Sequence, residues 1–243
     1  MWKKILFRPM TEYTDELVQI PKPGTNSVPE WYRNQRLFSN EENNWFKANK
    51  KNSDFVGTYK LCVPVVDSLT AGYMLTTSAD IVVENIGSEE YIPNFFWKVE
   101  SQLIDMPEGI DNKSLGNYPI PFGYVNFFAR WCVDWHIKTP SGYSLWLTHP
   151  SHRHDLPFLT LNGFIDTDKN PGSLRLPFFI RDGFEGIIPS GTPIAQILPI
   201  KRDFWISKKV KYIENYYRMA SNIIAQKVVR AYKNNFWSKK VYK

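Results

Sequence analysis

A mainly β fold is predicted, on two observations. From Tyr59 onward the chain breaks into short runs rich in β-branched and aromatic residues, each closed by Gly, Pro, Asp or Asn. These runs follow one another too closely for a regular βα alternation, so a sandwich or barrel-like sheet fits better than an α/β layer fold. With 43% hydrophobic and 16% aromatic residues in 243, the chain has ample material for a packed core.

Taken in order, residues 2–7 read as a short strand. Pro21-Lys22-Pro23-Gly24 is a turn, and Pro29-Glu30-Trp31-Tyr32-Arg33 opens a short helix with Pro at its start. Residues 37–54 are polar and rich in Asn and Lys, and read as a loop or irregular helical segment. Strands are expected at 61–66, 73–77, 81–84 and 124–131, then more regularly at 143–148, 158–161, 174–180 and 195–199. Between Val210 and Tyr232, apolar residues recur at near-heptad spacing without Gly or Pro, which predicts an amphipathic helix. The expected organisation is an N-terminal extension (1–58), a β domain (59–206) and a basic C-terminal helix (207–243).

Charge divides along the same line. The chain is +6, and residues 201–243 hold 12 of the 30 Lys+Arg but 2 of the 24 Asp+Glu, so the tail is +10 and the remainder −4. Such a tail suits an anionic partner, whether nucleic acid, a membrane surface or an acidic patch on another subunit, and equally a solvated helix face. No run reaches the roughly 18 apolar residues of a spanning helix, and the first residues lack a long apolar segment with a cleavage site. Cys62 and Cys132 lie in apolar surroundings without CxxC spacing, which favours free thiols. The expectation is a soluble, unprocessed cytoplasmic protein, in the host cytoplasm or the virion if its origin is viral.

The segment Asn162-Gly163-Phe164-Ile165-Asp166-Thr167-Asp168, followed by Gly172-Ser173-Leu174-Arg175, suits a tight hairpin with carboxylates at its rim. Downstream stands Gly186-Ile187-Ile188-Pro189-Ser190-Gly191-Thr192-Pro193-Ile194-Ala195-Gln196-Ile197-Leu198. Upstream are Thr139-Pro140-Ser141-Gly142-Tyr143 and Thr70-Ala71-Gly72-Tyr73-Met74. In this order the four segments, spanning about 130 residues, resemble the motifs of the dUTPase and dCTP deaminase superfamily. The resemblance implies a dUTPase-like β-clip, a distorted β-barrel, commonly assembled as trimers with sites between subunits.

It also implies roles. The hairpin, through Asn162, Gly163, Ile165 and Asp166, would hold base and deoxyribose; Asp166 would orient the attacking water; and Gln196 with Ser151 and Arg153 would face phosphates, with Mg²⁺ if the chain hydrolyses nucleotides. The departures are as informative. Lys169-Asn170-Pro171 stands where the family has a tyrosine beneath the sugar, which leaves Tyr73 or Tyr143 to replace it. Met74 replaces an early Asp, and His149-Pro150-Ser151-His152-Arg153-His154-Asp155 replaces an Arg-Ser-Ser turn. Leu174-Arg175-Leu176-Pro177-Phe178 offers no glutamate for deamination. The whole chain also resembles an uncharacterised family found in phages and some bacteria, which implies a viral origin and no activity.

Other readings stay open. His149, His152 and His154 with Asp155 form a candidate metal loop, an anion contact through His152 and Arg153, or plain loop polarity. Asp166 and Asp168 also suit an ordinary turn. Trp97, Trp131, Trp135 and Trp146 suit base stacking or, for Trp131 and Trp135, core or subunit-interface anchoring, of which the interface is favoured. Three functions follow. One is a catalytically altered protein with a binding or assembly role, forming a homo-oligomer, a trimer by resemblance, with possible nucleotide binding. The others are a deoxynucleoside triphosphate pyrophosphatase and a virion structural component.

Overall fold

Antiparallel pairing throughout follows from the short, punctuated strands, since tight turns return each strand against a neighbour. The computed structural model describes residues 3–39, 57–97, 107–110, 112–213, 215, 217–218, 221–222 and 231–243. It divides into two compact units: residues 1–27, 72–202 and 243, and residues 28–71 and 203–242.

The first unit carries the strands. They are β1 (Leu6–Pro9), β2 (Lys22–Pro23), β3 (Tyr73–Thr76), β4 (Ile81–Asn85), β5 (Pro93–Trp97), β6 (Glu108–Ile110) and β7 (Tyr124–Cys132), then β8 (Trp135–Lys138), β9 (Tyr143–Thr148), β10 (Phe158–Thr160), β11 (Gly163–Ile165), β12 (Arg175–Arg181), β13 (Gly186–Ile188) and β14 (Pro193–Lys201). A five-stranded sheet runs β11-β9-β14-β3-β2 and a four-stranded one β10-β12-β7-β6, with a three-stranded sheet β13-β4-β5 and the pair β1-β8 beside them. The fold is mainly β, as the sequence predicts.

The core is aromatic. Trp131 on β7 is 2% exposed and stacks on Phe178 of β12, ring centroids 3.9 Å apart and 11° from parallel, with Phe158 edge-on at 4.8 Å. Its indole N–H donates to the Thr160 hydroxyl at 3.0 Å, which in turn donates to the Ile194 carbonyl, so both of these buried polar groups are satisfied. Trp131 and Trp135 are both buried within the chain, which corrects the favoured assignment of them to a subunit interface. Gly72 has φ +64°, and a Cβ there would collide with the Ile197 carbonyl oxygen, so the backbone before β3 must pass β14 without a side chain.

The second unit corrects two expectations. Val63–Thr70 is a helix where a strand was expected over 61–66. Its β-branched residues read as strand, but Pro64 falls in the first turn, where its missing N–H costs nothing and its φ is already helical. The helix expected from Val210 does not begin there. Residues 203–213 have no regular structure, helical residues occur at 217–218 and 221–222, and Ala231–Asn235 forms a short helix; the rest of that stretch lies outside the described residues. Val210, Tyr212 and Ile213 are exposed, and a helix without a packed apolar face loses most of its stabilisation. Further on, the Trp237 indole N–H donates to both oxygens of Asp67 at 2.9 and 3.1 Å, and Lys240 pairs with the same carboxylate at 2.6 Å.

The aromatic stack sets the first prediction. Phe178→Ala is expected to cost about 3–5 kcal/mol from lost burial plus cavity, and Thr160→Val about 1–3 kcal/mol by stranding the Trp131 N–H. Urea unfolding measures both, and losses below about 1 kcal/mol would show that the stack does not carry the core.

Candidate functional site

Strand alternation fixes what β9 presents. Leu145 and Leu147 are buried, so Ser144, Trp146 and Thr148 face the other side of the sheet. The ladder with β14 sets Ile200 opposite Ser144, Leu198 opposite Trp146 and Gln196 opposite Thr148, while β11 sets Phe164 opposite Trp146. Paired residues share a face, so this one carries the Trp146–Phe164 stack, its rings 10° from parallel and 6.1 Å apart, with Phe164 68% exposed.

At one end of the ladder lies a carboxylate cluster. After β11 the chain turns on itself, with the Lys169 and Asn170 N–H groups donating to the Asp166 carbonyl at 2.9 and 2.8 Å. Thr167 is buried and hydrogen-bonds the Thr139 hydroxyl at 2.7 Å, which ties the hairpin to the turn before β9. The Asp166 carboxylate accepts from the Ser144 hydroxyl at 2.6 Å and pairs with Arg202 at 3.0 Å. Asp168 accepts from the Gly142 N–H at 2.9 Å and from both terminal nitrogens of Arg202, one at 2.9 Å and the other closer. Arg202 also donates to the Ser144 hydroxyl at 3.1 Å.

Both acids are held ionised. The Arg202 hydrogen bonds, assisted by the Gly142 N–H, hold the Asp168 carboxyl down to about 2, and the Ser144 hydroxyl followed by Arg202 lowers that of Asp166. Arg202 was not among the candidate residues. It stands 34 positions from Asp168, and no local spacing links a basic residue after β14 to an acid after β11.

At the other end, Gln196 is buried and its side-chain carbonyl accepts from the N–H and hydroxyl of Ser151 at 3.1 and 2.8 Å. The loop beyond is self-contained. Thr160 N–H donates to His149 Nδ1 at 3.3 Å, so His149 carries its proton on Nε2 and donates it to the Arg153 carbonyl at 3.0 Å. Burial pushes the His149 pKa down and keeps the ring neutral. Arg153 forks onto Asp155 with contacts of 2.8–3.1 Å. His152, at φ 58°, and His154 are exposed. Among the described residues no group of three His, Cys, Asp or Glu is placed to hold a metal, and both His149 nitrogens are already engaged.

The structure therefore joins Gln196 with Ser151, and Asp166 with Ser144, Asp168 and Arg202, but keeps the two groups apart. Ser144 and Thr148 are four residues apart on β9, about 13 Å at the rise of an extended strand. Asn162 is exposed at the start of the hairpin, and a Cβ at Gly163 would meet nothing within 4 Å. Neither tyrosine takes the place beneath the hairpin. Tyr73 is buried edge-on against Phe7 and donates to the Lys243 carbonyl at 3.1 Å, while Tyr143 alternates away from Ser144 and lies under the Lys3 ammonium. The side chain of Trp97 lies outside the described residues.

The strands thus carry the hairpin acids and the Ser151–Gln196 contact on one ladder. Among solved structures, the chain is similar to phage dUTPases. One is a mutant dUTPase from phage phi11 of S. aureus, described with a structural Mg(II) ion, at TM-score 0.38 and 13% identity, covering 87% of this chain and 99% of that one. Another is a mutant dUTPase of Staphylococcus bacteriophage 80alpha with dUpNHpp, at TM-score 0.34 and 11% identity, covering 87% of this chain and 90% of that one. No family model and no curated protein matches the sequence. Likeness at 11–13% identity transfers no residue role.

The Arg202 pairing makes a pH prediction. The Asp168 carboxyl has a folded pKa below its ordinary value of about 4, so its contribution to stability is full above that value and is lost as the pH falls towards about 2. Arg202→Ala is expected to lower the melting temperature at neutral pH, with the gap to the unsubstituted protein closing between about pH 4 and 2. Melting curves across that range check it, and a gap that stays constant into acid would remove the pairing as its cause.

Proposed function

We propose that this chain is a catalytically altered dUTPase-like β protein that works by binding and assembly rather than by nucleotide hydrolysis. The observation that carries the reading is the engagement of Asp166. A carboxylate that activates water has to accept its proton, and here Oδ1 takes the Ser144 hydroxyl and the Arg202 guanidinium, which hold the group ionised and weakly basic and leave Oδ2 alone open to water. Tyr73 and Tyr143, the two tyrosines that could replace the missing sugar contact, are both engaged elsewhere, and positioning supplies much of the rate in phosphoryl chemistry.

The exposed Phe164, stacked on Trp146 beside half-buried Leu198 and exposed Ile200, supports assembly of identical copies through this face. A trimer is the form that the sequence resemblance favours. The open backbone at Gly163 and the exposed Asn162 leave the hairpin accessible to a nucleotide; Gly163 pairs with Leu147, next to the Thr148 that faces Gln196, whereas Asp166 at the other end of the hairpin lies about 13 Å along the ladder from that glutamine. A virion structural role is the form that such assembly takes if the origin is viral, in the virion or the host cytoplasm.

A second reading, deoxynucleoside triphosphate pyrophosphatase activity with Mg²⁺, is favoured by the Ser151–Gln196 contact. The two readings separate in one set of measurements. The purified protein is expected to show no Mg²⁺-dependent dUTP turnover above background and to elute as an oligomer by light scattering. Phe164→Ser with Ile200→Ser is expected to shift it to monomer. Turnover that is lost in Asp166→Ala would overturn the proposal, as would a monomeric mass for the unsubstituted protein.

A further inference from the structure

Residues 203–213 are the least covered stretch of the described chain. Phe204, Trp205 and Ile206 are each almost fully exposed, and Val210, Tyr212 and Ile213 are largely so. Lys208, Lys209 and Lys211 stand among them with no ion-pair partner among the described residues. The segment is tied on both sides: Arg202 is held by Asp166 and Asp168 immediately before it, and Trp237 and Lys240 are held by Asp67 further along. Six large apolar side chains so exposed need a partner that is apolar and anionic at once.

We infer that residues 203–213 form an interfacial anchor for an anionic phospholipid surface, with Phe204, Trp205 and Ile206 entering at the headgroup level and the three lysines meeting the lipid charge. The depth follows from the backbone. An irregular segment cannot carry its unpaired N–H and C=O groups into hydrocarbon, so only side chains enter and insertion is shallow. No helix among the described residues is long and apolar enough to cross a membrane.

Chemistry separates this occupant from two others. Single-stranded nucleic acid stacks on rings, but Ile206, Val210 and Ile213 have no π face, and the segment's cations are lysines rather than the forked, stacking guanidinium of arginine. The cores of protein interfaces are depleted in lysine, whereas at a lipid surface Trp, Phe and Lys lie at neighbouring depths because long ammonium stems reach outward.

Vesicle co-sedimentation of the full chain tests this, comparing phosphatidylcholine alone with phosphatidylcholine containing about 30% phosphatidylserine. The expected result is binding to the anionic vesicles that is at least about tenfold tighter than to neutral ones and weakens at high salt. Lys208→Gln, Lys209→Gln and Lys211→Gln together are expected to weaken it about a hundredfold, near fivefold per charge. Phe204→Ser, Trp205→Ser and Ile206→Ser together are expected to weaken it more than tenfold at an unchanged melting temperature, since these side chains are almost fully exposed. Absence of binding to anionic vesicles overturns the inference, as does unchanged affinity in either triple variant. Tighter binding to an oligothymidylate through the same residues, or a fall in oligomeric mass in the apolar variant without any lipid binding, overturns it in favour of nucleic acid or a second copy.

Discussion

Hydrogen bonding of β14 on both edges is the constraint on which the rest of the β unit depends. It pairs β9 on one side and β3 on the other, and the consecutive residues Ile194, Ala195, Gln196 and Ile197 are all buried. With both faces covered, a slip by one residue would exchange Gln196 with an apolar neighbour and strand its buried amide away from Ser151, so its register is strongly specified. That register carries Gln196 to the Ser151 loop and Arg202 to the hairpin acids. The close passage of Gly72 against the Ile197 carbonyl adds a steric lock at the same place.

The Arg202 cluster draws together groups from three separate parts of the chain. One guanidinium serves two carboxylates and a hydroxyl, and the Asp168 side chain is covered while that of Asp166 is half exposed. Exposed ion pairs contribute little, so the worth of the cluster lies mainly in Asp168, whose bonds to Arg202 and the Gly142 N–H join the strand end, the hairpin and the turn before β9. Two like charges kept ionised beside one cation make a stable pin. The same pairing lowers their basicity.

The second unit follows other rules. Its short helices bury little, and the Asp67 carboxylate, shared by the Trp237 indole and the Lys240 ammonium, holds the C-terminal segment to the helix at Val63–Thr70. Lys233 and Lys240 each lie 5.5 Å from the centre of the Trp237 ring, so cations gather on an aromatic face while the apolar residues of 203–213 stay uncovered. Charge and apolar surface that lie apart in an ordinary domain are here combined in one segment.

Features that depend on near neighbours along the chain can be read without the fold. The mainly β class, the strands at Tyr73–Thr76, Tyr143–Thr148 and Phe158–Thr160, the short helix after Pro29 and the turn at Asp166 were legible because β-branching, Pro, Gly and side-chain-to-backbone bonding act within a few residues. Strand β8, β6 and the helix at Val63–Thr70 were not, since the first two are short and gain their definition from partners, and Pro64 turned a β-branched run into a helix start. Only the tertiary structure decided that Trp131 stacks inside the core, that Gln196 and Asp166 sit at opposite ends of one ladder, and that Arg202 occupies both acids. Those outcomes depend on strand register and on charges brought together across 34 or more residues of chain, distances over which no spacing in a single sequence carries information.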